Sequence, residues 1–304
     1  MNNSPTSDRL VPEPRLLVSA EWKDYELVDS GEGRKLERCG PYTLIRPEHR
    51  AVWHPTLLPK AWSSAHAEFI PGGGESGGRW QLYKPVEPAW VMQYKHLKYY
   101  AQAAQSRQLG FFPEQASLWD WIAQRINTAG RPVRLLNLFA YTGLASLAAC
   151  LAGAQVTHVE ASRKAIRQAK ENQALSNLED KPIRWIEEDV LKYVGREIRR
   201  GSVYDAILLD PPKFGRGPNG EVWEFFKALP YLLEQCRKLL SSDPAFILVT
   251  AYGVQMSSIS ILNGLAEITH SLGGELACGE LAVLERSSGR RLATSIYSSW
   301  QSSG

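Results

Sequence analysis

Between residues 134 and 160 the apolar rhythm of the chain changes twice. Residues 135–139 (Leu-Leu-Asn-Leu-Phe) are a short apolar run, which predicts a buried strand. Ala140-Tyr141-Thr142-Gly143 interrupts it, and a small-residue helix follows as far as Gly153, the residue type that commonly stands just past a helix end. A second apolar run, 155–159, stops on Glu160. Strand, glycine turn, helix, strand and acid, in that order, predict the nucleotide-binding half of an open α/β sheet. The alternation continues downstream. A helix with one polar face, capped by Ser162, is predicted to about 178. A strand over 182–186 ends at Glu187-Glu188-Asp189, and a helix runs on to about 200. A strand over 204–210 ends in Asp210-Pro211-Pro212-Lys213-Phe214. A glycine-rich loop, 215–220, leads to a helix over 222–240, a strand over 245–250 and a helix over 258–272. The strands 274–284 and 292–300, joined by polar residues, read as an antiparallel hairpin at the sheet edge.

Upstream the period is shorter. Residues 25–80 predict brief strands punctuated by Gly and Pro, with a loop at the glycine-rich stretch 72–78. Residues 80–84 and 89–94 alternate and flank Pro85-Val86-Glu87-Pro88, as a hairpin would. Trp53, Trp62, Trp80 and Trp90 fall here and are read as the core of a small β-rich unit rather than a base-stacking face. Residues 94–100 interleave Lys with aromatics and read as a half-exposed linker. The turn 109–115 opens a helix at Pro113, with Glu114 at its positive end. The expected organisation is a disordered N-terminus (1–15), a small β-rich N-terminal domain (16–104) and an α/β catalytic domain (105–304).

Composition narrows this picture only a little. With 304 residues and 44% hydrophobic positions the chain suits about two domains with a real core. A net charge of +3 permits a nucleic-acid partner without requiring one. Residues 135–156 carry no charge and are long enough to cross a membrane, but the polar residues and Gly143 spread through them argue against that. Cys39, Cys150, Cys236 and Cys278 are far apart, and the histidines form no ligand pair, so neither a metal site nor disulfides are expected. The polar first ten residues resemble neither a signal nor an anchor, and a cytoplasmic location is expected.

Ligands of open α/β sheets bind outside the carboxyl ends of the strands. Here those ends carry Tyr141-Thr142-Gly143, Glu160, Asp189 and Asp210-Pro211-Pro212. Gly143 allows close backbone approach, and Glu160 is placed to accept from both hydroxyls of a ribose. With these residues the sequence resembles the class I S-adenosylmethionine-dependent methyltransferases, whose sheet is Rossmann-like and seven-stranded. More narrowly it resembles the bacterial ribosomal-RNA methyltransferase group that contains large-subunit cytosine-C5 and guanine-N7 enzymes. The resemblance rests on Leu-Asn-Leu-Phe-Ala-Tyr-Thr-Gly143, Val-Glu-Ala-Ser162, Glu-Glu-Asp-Val190, Leu-Asp-Pro-Pro-Lys-Phe214 and Gly-Phe-Phe-Pro-Glu-Gln115, and covers residues 105–300.

That resemblance implies roles. Phe139, Tyr141, Thr142 and Gly143 would hold the methionine part of S-adenosyl-L-methionine, Glu160 with Ala161 its ribose, and Asp189 with Val190 its adenine. Phe112 and Gln115 would close over it. Asp210, Pro211, Pro212 and Lys213 would face the acceptor, Asp210 also touching the cofactor. The proline pair fixes φ twice and is expected to turn carbonyls outward. Phe214 is read, narrowly, as a core residue rather than a stacking one. Cytosine-C5 chemistry uses a cysteine after the strand corresponding to 245–250, and here that position reads Thr250-Ala-Tyr-Gly-Val-Gln255. A nitrogen acceptor attacked in line, without a cysteine nucleophile, is therefore expected, with RNA, ribosomal RNA first, as the partner. The alternatives are a protein or small-molecule methyltransferase, an RNA-docking protein that binds the cofactor without catalysis, and a dinucleotide oxidoreductase. The last would need G-x-G-x-x-G after the first strand, where only Gly143 stands.

Overall fold

The computed structural model describes residues 12–72, 77–103 and 106–303. Most of the expected frayed stretch 1–15 and the middle of the glycine-rich stretch 72–78 thus lie outside the described residues. The chain begins its described part with β1 (Arg15–Ser19). It then builds a five-stranded sheet from β2 (Tyr25–Gly31), β3 (Arg34–Cys39), β4 (Tyr42–Pro47), β5 (Ala67–Pro71) and β6 (Gly78–Leu82), with one helical turn, α1 (Pro59–Trp62), before β5. β7 (Ala89–Tyr94) and β8 (Leu97–Gln102) form a separate hairpin. The pairing differs from the expected one: β6 joins β5, and β7 turns back onto the stretch read as a linker. Alternation explains it. Trp90, Met92 and Tyr94 on β7 and Leu97, Tyr99 and Ala101 on β8 all point to one buried face. Trp62 and Trp90 are core residues, as read from the sequence.

The second half opens with a 3-10 turn, Pro113–Gln115, and α2 (Ala116–Thr128). It continues as β9 (Arg134–Leu138), α3 (Leu144–Leu151), β10 (Gln155–Glu160), α4 (Arg163–Leu175), β11 (Ile183–Glu187), α5 (Val190–Arg199) and β12 (Ala206–Leu209). A small hairpin, β13 (Phe214–Arg216) with β14 (Val222–Glu224), precedes α6 (Phe225–Leu239). β15 (Phe246–Tyr252), α7 (Ser258–Thr269), β16 (Glu275–Leu284) and β17 (Arg291–Gln301) complete the chain. The large sheet runs β1-β16-β17-β15-β12-β9-β10-β11. Its five strands β15, β12, β9, β10 and β11 are parallel, and β17 is antiparallel to both neighbours. This is the expected Rossmann-like seven-stranded sheet, extended by β1, which pairs in parallel with β16 and covers what would have been the hairpin's open edge.

Both faces of the parallel part are buried, so its strands are apolar almost without interruption. Leu136, Leu138, Ile207, Leu209, Ile247 and Val249 pack toward α5, α6 and α7. Leu135, Leu208, Phe246 and Leu248 pack toward α2 and α3. Each such side chain removed from water contributes roughly 1.5–3 kcal/mol. A further cluster, including Tyr25, Trp90, Tyr99, Phe111, Trp119 and Leu147, joins the β-rich part to α2 and α3. No helix among the described residues is long and apolar enough to cross a membrane.

Candidate active site

Strand register brings the site together. Leu138 of β9 lies opposite Val159 of β10 and Leu209 of β12, and Leu209 lies opposite Val249 of β15. The next residues, Phe139, Glu160, Asp210 and Thr250, therefore stand at one level across the strands, Glu160 and Thr250 still within β10 and β15. Glu160 itself faces Glu187 on β11, and Asp189 follows two residues later. With about 4.8 Å between neighbouring strands, Glu160 and Asp210 stand roughly 10 Å apart on either side of the turn after β9.

That turn is unusual. Phe139 (φ 58°) and Tyr141 (φ 49°) are left-handed without being glycine, a strain on the order of 1–2 kcal/mol each. Neighbours hold them there. The Phe139 ring lies 4.7 Å from that of Trp223, and the Tyr141 backbone N donates to Glu160 Oε2 at 2.9 Å. Gly143 (φ 85°) caps α3, and a Cβ there would stand only 3.0 Å from that of Ala169 on α4. Beneath the turn, Ser146 Oγ accepts from Asn137 Nδ2 at 2.9 Å and stands 3.0 Å from His158 Nδ1. Burial pushes His158 down to about 3 and keeps it neutral.

Glu160 also accepts from the backbone N of Ser162 at 2.8 Å, and Ala161 N contributes a further bond. Even so, burial lifts its carboxyl above the usual carboxylate range. A carboxylate offers about four acceptor positions, so with three backbone donors in place one remains for a hydroxyl. Asp210 is likewise raised by burial, against the pull of two bonds: Thr250 Oγ1 donates to Oδ1 at 2.6 Å and Gln115 Nε2 to Oδ2 at 2.9 Å. The segment carrying Gln115 is laced across the site. Thr142 Oγ1 donates to Gly110 O at 2.6 Å, and the Phe112 ring lies 5.8 Å from Tyr141 and 5.9 Å from Tyr252. Phe112, Gln115, Phe139, Tyr141, Gly143, Glu160, Ala161 and Asp210 thus lie together at the carboxyl ends of β9, β10 and β12. Thr142 is turned away from it, its hydroxyl spent on Gly110 and its carbonyl accepting from Asn172 Nδ2 at 3.0 Å. Asp189 Oδ1 accepts from Lys192 N at 3.0 Å as the cap of α5, with Val190 buried behind it.

Beyond Asp210 two expectations need correction. The Pro212 carbonyl does not point outward but accepts from Trp223 Nε1 at 2.7 Å. Phe214 is not core: it is 55% exposed, because on the short hairpin Trp223 takes the buried side and Phe214 the outer one. Lys213 is exposed, its carbonyl accepting from Phe225 N at 3.1 Å. Sequence reasoning missed Thr250 and Trp223. Thr250 was visible as a polar residue closing an apolar strand. Trp223 was hidden because it was assigned to a helix that begins only at Phe225.

A sheet of this order, with acids at neighbouring strand ends and a strained turn between them, defines a nucleoside-cofactor enzyme, and the family model for S-adenosylmethionine-dependent methyltransferases matches residues 71–248. The chain belongs to that family. A solved S-adenosylmethionine-dependent methyltransferase from Agrobacterium tumefaciens is 44% identical and superposes with a TM-score of 0.92 over 95% of this chain and 94% of its own. Ribosomal RNA large subunit methyltransferase I of Serratia proteamaculans is 31% identical over 141 residues, 46% of this chain and 35% of that protein. Ribosomal RNA large subunit methyltransferase K/L of Shewanella oneidensis is 43% identical over 89 residues, 29% and 12% of the two chains. The chain thus spans about a third or less of the length of these two relatives.

Proposed function

We propose that this protein methylates a base of ribosomal RNA by direct in-line transfer from S-adenosyl-L-methionine, without a cysteine nucleophile. The carrying observation is Asp210, a partly buried carboxylate gripped by Thr250 and Gln115 and followed by a proline pair, one turn away from the ribose-binding geometry of Glu160. The residues fit the cofactor: a side chain at Gly143 would crowd Ala169, so the turn stays bare backbone, and Glu160 is a partly buried carboxylate with one acceptor position left. Phe112, Gln115, Phe139, Tyr141 and Gly143 would enclose its amino-acid arm, with Thr142 bracing the turn from behind. Glu160 and Ala161 would take the ribose, and Asp189 and Val190 the adenine. When bound, it supplies an electrophilic methyl on a sulfonium, which is already a good leaving group.

The chain's own part is positioning and exclusion of water, which suffice for an in-line displacement. A ring nitrogen carries no proton to remove. An amino group would donate to Asp210 or to the Pro211 carbonyl. Pro212 is fixed through Trp223, and Lys213 and Phe214 stand at the open side of the acceptor edge. All four cysteines are buried, and burial pushes the Cys236 thiol up to about 12, far from a thiolate nucleophile at neutral pH. In this reading residues 105–304 carry the chemistry, the preceding β-rich domain helps hold the acceptor, and methylation takes place in the cytoplasm, where ribosomes are made.

The test is transfer of tritiated methyl from S-adenosylmethionine to ribosomal RNA taken from a strain lacking the protein. Label at one base, located by mass mapping, is expected, and Cys236→Ala and Cys278→Ala variants keep the activity. Label entering only protein or small molecules, or RNA bound without transfer, rejects the reading. So does a calorimetric titration showing no cofactor binding at millimolar concentration.

A further inference from the structure

We infer that Arg50, supplied by the β-rich N-terminal part, grips a phosphodiester of the acceptor strand beside the methyl-transfer edge, with Tyr252 as its platform. This rests on the proposal that the acceptor is RNA. Thr250 and Tyr252 are two residues apart on β15, so they share a face of the strand, about 7 Å apart. Thr250 touches Asp210 at 2.6 Å; Tyr252 is therefore the next side chain outward from the acceptor carboxylate. The Arg50 guanidinium lies 5.2 Å from the centre of the Tyr252 ring. It reaches there from a tight turn, where Ala51 N donates to Glu48 O at 3.0 Å and Glu48 N to Gly33 O at 2.7 Å. Glu48 Oε1 accepts from Arg50 Nη1 at 3.1 Å and fixes the fork from behind.

The neighbouring cations differ from it. Arg46 is 5% exposed and engaged with Glu37, and Lys35 is 11% exposed between Glu37 and Glu48, whereas the Arg50 side chain is 40% exposed. Of this cluster Arg50 is the cation open to solvent. Arginine keeps five N–H donors, of which Glu48 takes one, and a guanidinium stacked on an aromatic is oriented to offer the rest to a phosphate. A base seated against Asp210 and Pro211 would carry its backbone outward past Tyr252, where this fork stands. The β-rich part then contributes one side of the acceptor cleft, and the catalytic sheet the other.

The experiment measures methyl transfer to ribosomal RNA over a range of salt, RNA binding by fluorescence anisotropy, and cofactor binding by calorimetry. Arg50→Ala is expected to raise KM for RNA about tenfold, as loss of a charged hydrogen bond implies. It should also lower the slope of log affinity against log salt by about 0.7, one phosphate contact. Both kcat at saturating RNA and the Kd for S-adenosylmethionine stay unchanged, and Arg50→Lys recovers part of the lost KM. Unchanged KM and salt slope in an enzyme that does methylate RNA overturn the clamp and leave the proposed function standing. A weakened cofactor Kd with an unaffected RNA KM also overturns it, since Arg50 would then act through Phe112. Wild-type protein that binds RNA with an Arg50-dependent salt slope but transfers no methyl keeps the clamp and rejects the catalytic reading. Label entering an acidic protein instead of RNA rejects both.

Discussion

At Glu160 the surroundings carry the case for the proposed ribose contact. Its carboxylate is partly buried, accepts backbone N–H from the glycine turn (Tyr141) and from the loop after its own strand (Ser162), and keeps one acceptor position to spare. Replacing it with Gln puts an amide N–H₂ where one acceptor stood. Glu160→Gln should weaken S-adenosylmethionine by about 10- to 100-fold, the size of one or two lost charge-assisted bonds, in a calorimetric titration. Unaltered affinity would mean that the ribose lies elsewhere. The positions of these acids were legible without coordinates: Glu160 and Asp210 each close an apolar run, and Asp189 follows the strand β11 as the cap of α5. The left-handed backbone at Phe139 and Tyr141 was not legible, since neither residue type announces it and only Trp223 and Glu160 hold it in place. Phe214 was misread for a related reason: composition says that phenylalanine is buried, and only the hairpin register shows which of Phe214 and Trp223 wins the inner side.

Among the elements, the β13–β14 hairpin links the Asp210–Lys213 segment to the turn after β9. Its inner side carries Trp223, which touches Phe139 in the turn after β9 and the Pro212 carbonyl after β12. Its tip is tied by Lys192 on α5, which pairs with Glu221 in the connecting loop. Trp223→Phe keeps an aromatic ring against Phe139 and leaves the Pro212 carbonyl without its donor, a cost of about 0.5–1.5 kcal/mol. The expected result is a fall in kcat of about tenfold with cofactor Kd unchanged, read by steady-state kinetics and calorimetry. An equal loss in both would show that the hairpin serves the cofactor side instead. Strands of three residues are too short for a period to register, so this hairpin read as loop and helix. The long parallel strands and their helices were legible, because burial on both faces writes continuous apolar runs and helices write a 3.6-residue stripe. The pairing of β6, β7 and β8 was not, since three alternating strands in succession admit more than one partner choice.

At the level of the whole molecule, stability in acid depends on a charge cluster inside the β-rich part. Burial alone would raise Glu37, but Arg46 and Lys35 beside it bring its carboxyl down to about 2. A depressed acid stabilises the fold above its unfolded value near 4.5 and loses that contribution as pH falls toward 2. Glu160 and Asp210, raised by burial, have the opposite sign: their ionisation is disfavoured in the fold, so they favour it slightly on the acid side of their transitions. Thermal unfolding between pH 4.5 and pH 2 should therefore show a falling Tm that is flattened in the double variant Glu37→Gln, Arg46→Met. An identical slope in the variant would place the acid-sensitive group elsewhere. Removing Glu37 alone is a harsher change, because it leaves Arg46 charged and buried, at a cost of roughly 3–5 kcal/mol.

β1 lies along the outer edge of the catalytic sheet, with Arg15 opposite Gly279. The β-rich part is therefore spliced into the catalytic fold rather than strung before it. On the ribosome this imposes an order of events. At about 5–20 residues per second, β1 emerges some tens of seconds before β16 exists to receive it. The intervening β-rich part can collapse around its own core during that wait, but the sheet closes last, from its far end. A truncated product that stops short of β16 would leave β1 as an unpaired ribbon, and such ribbons seek other chains.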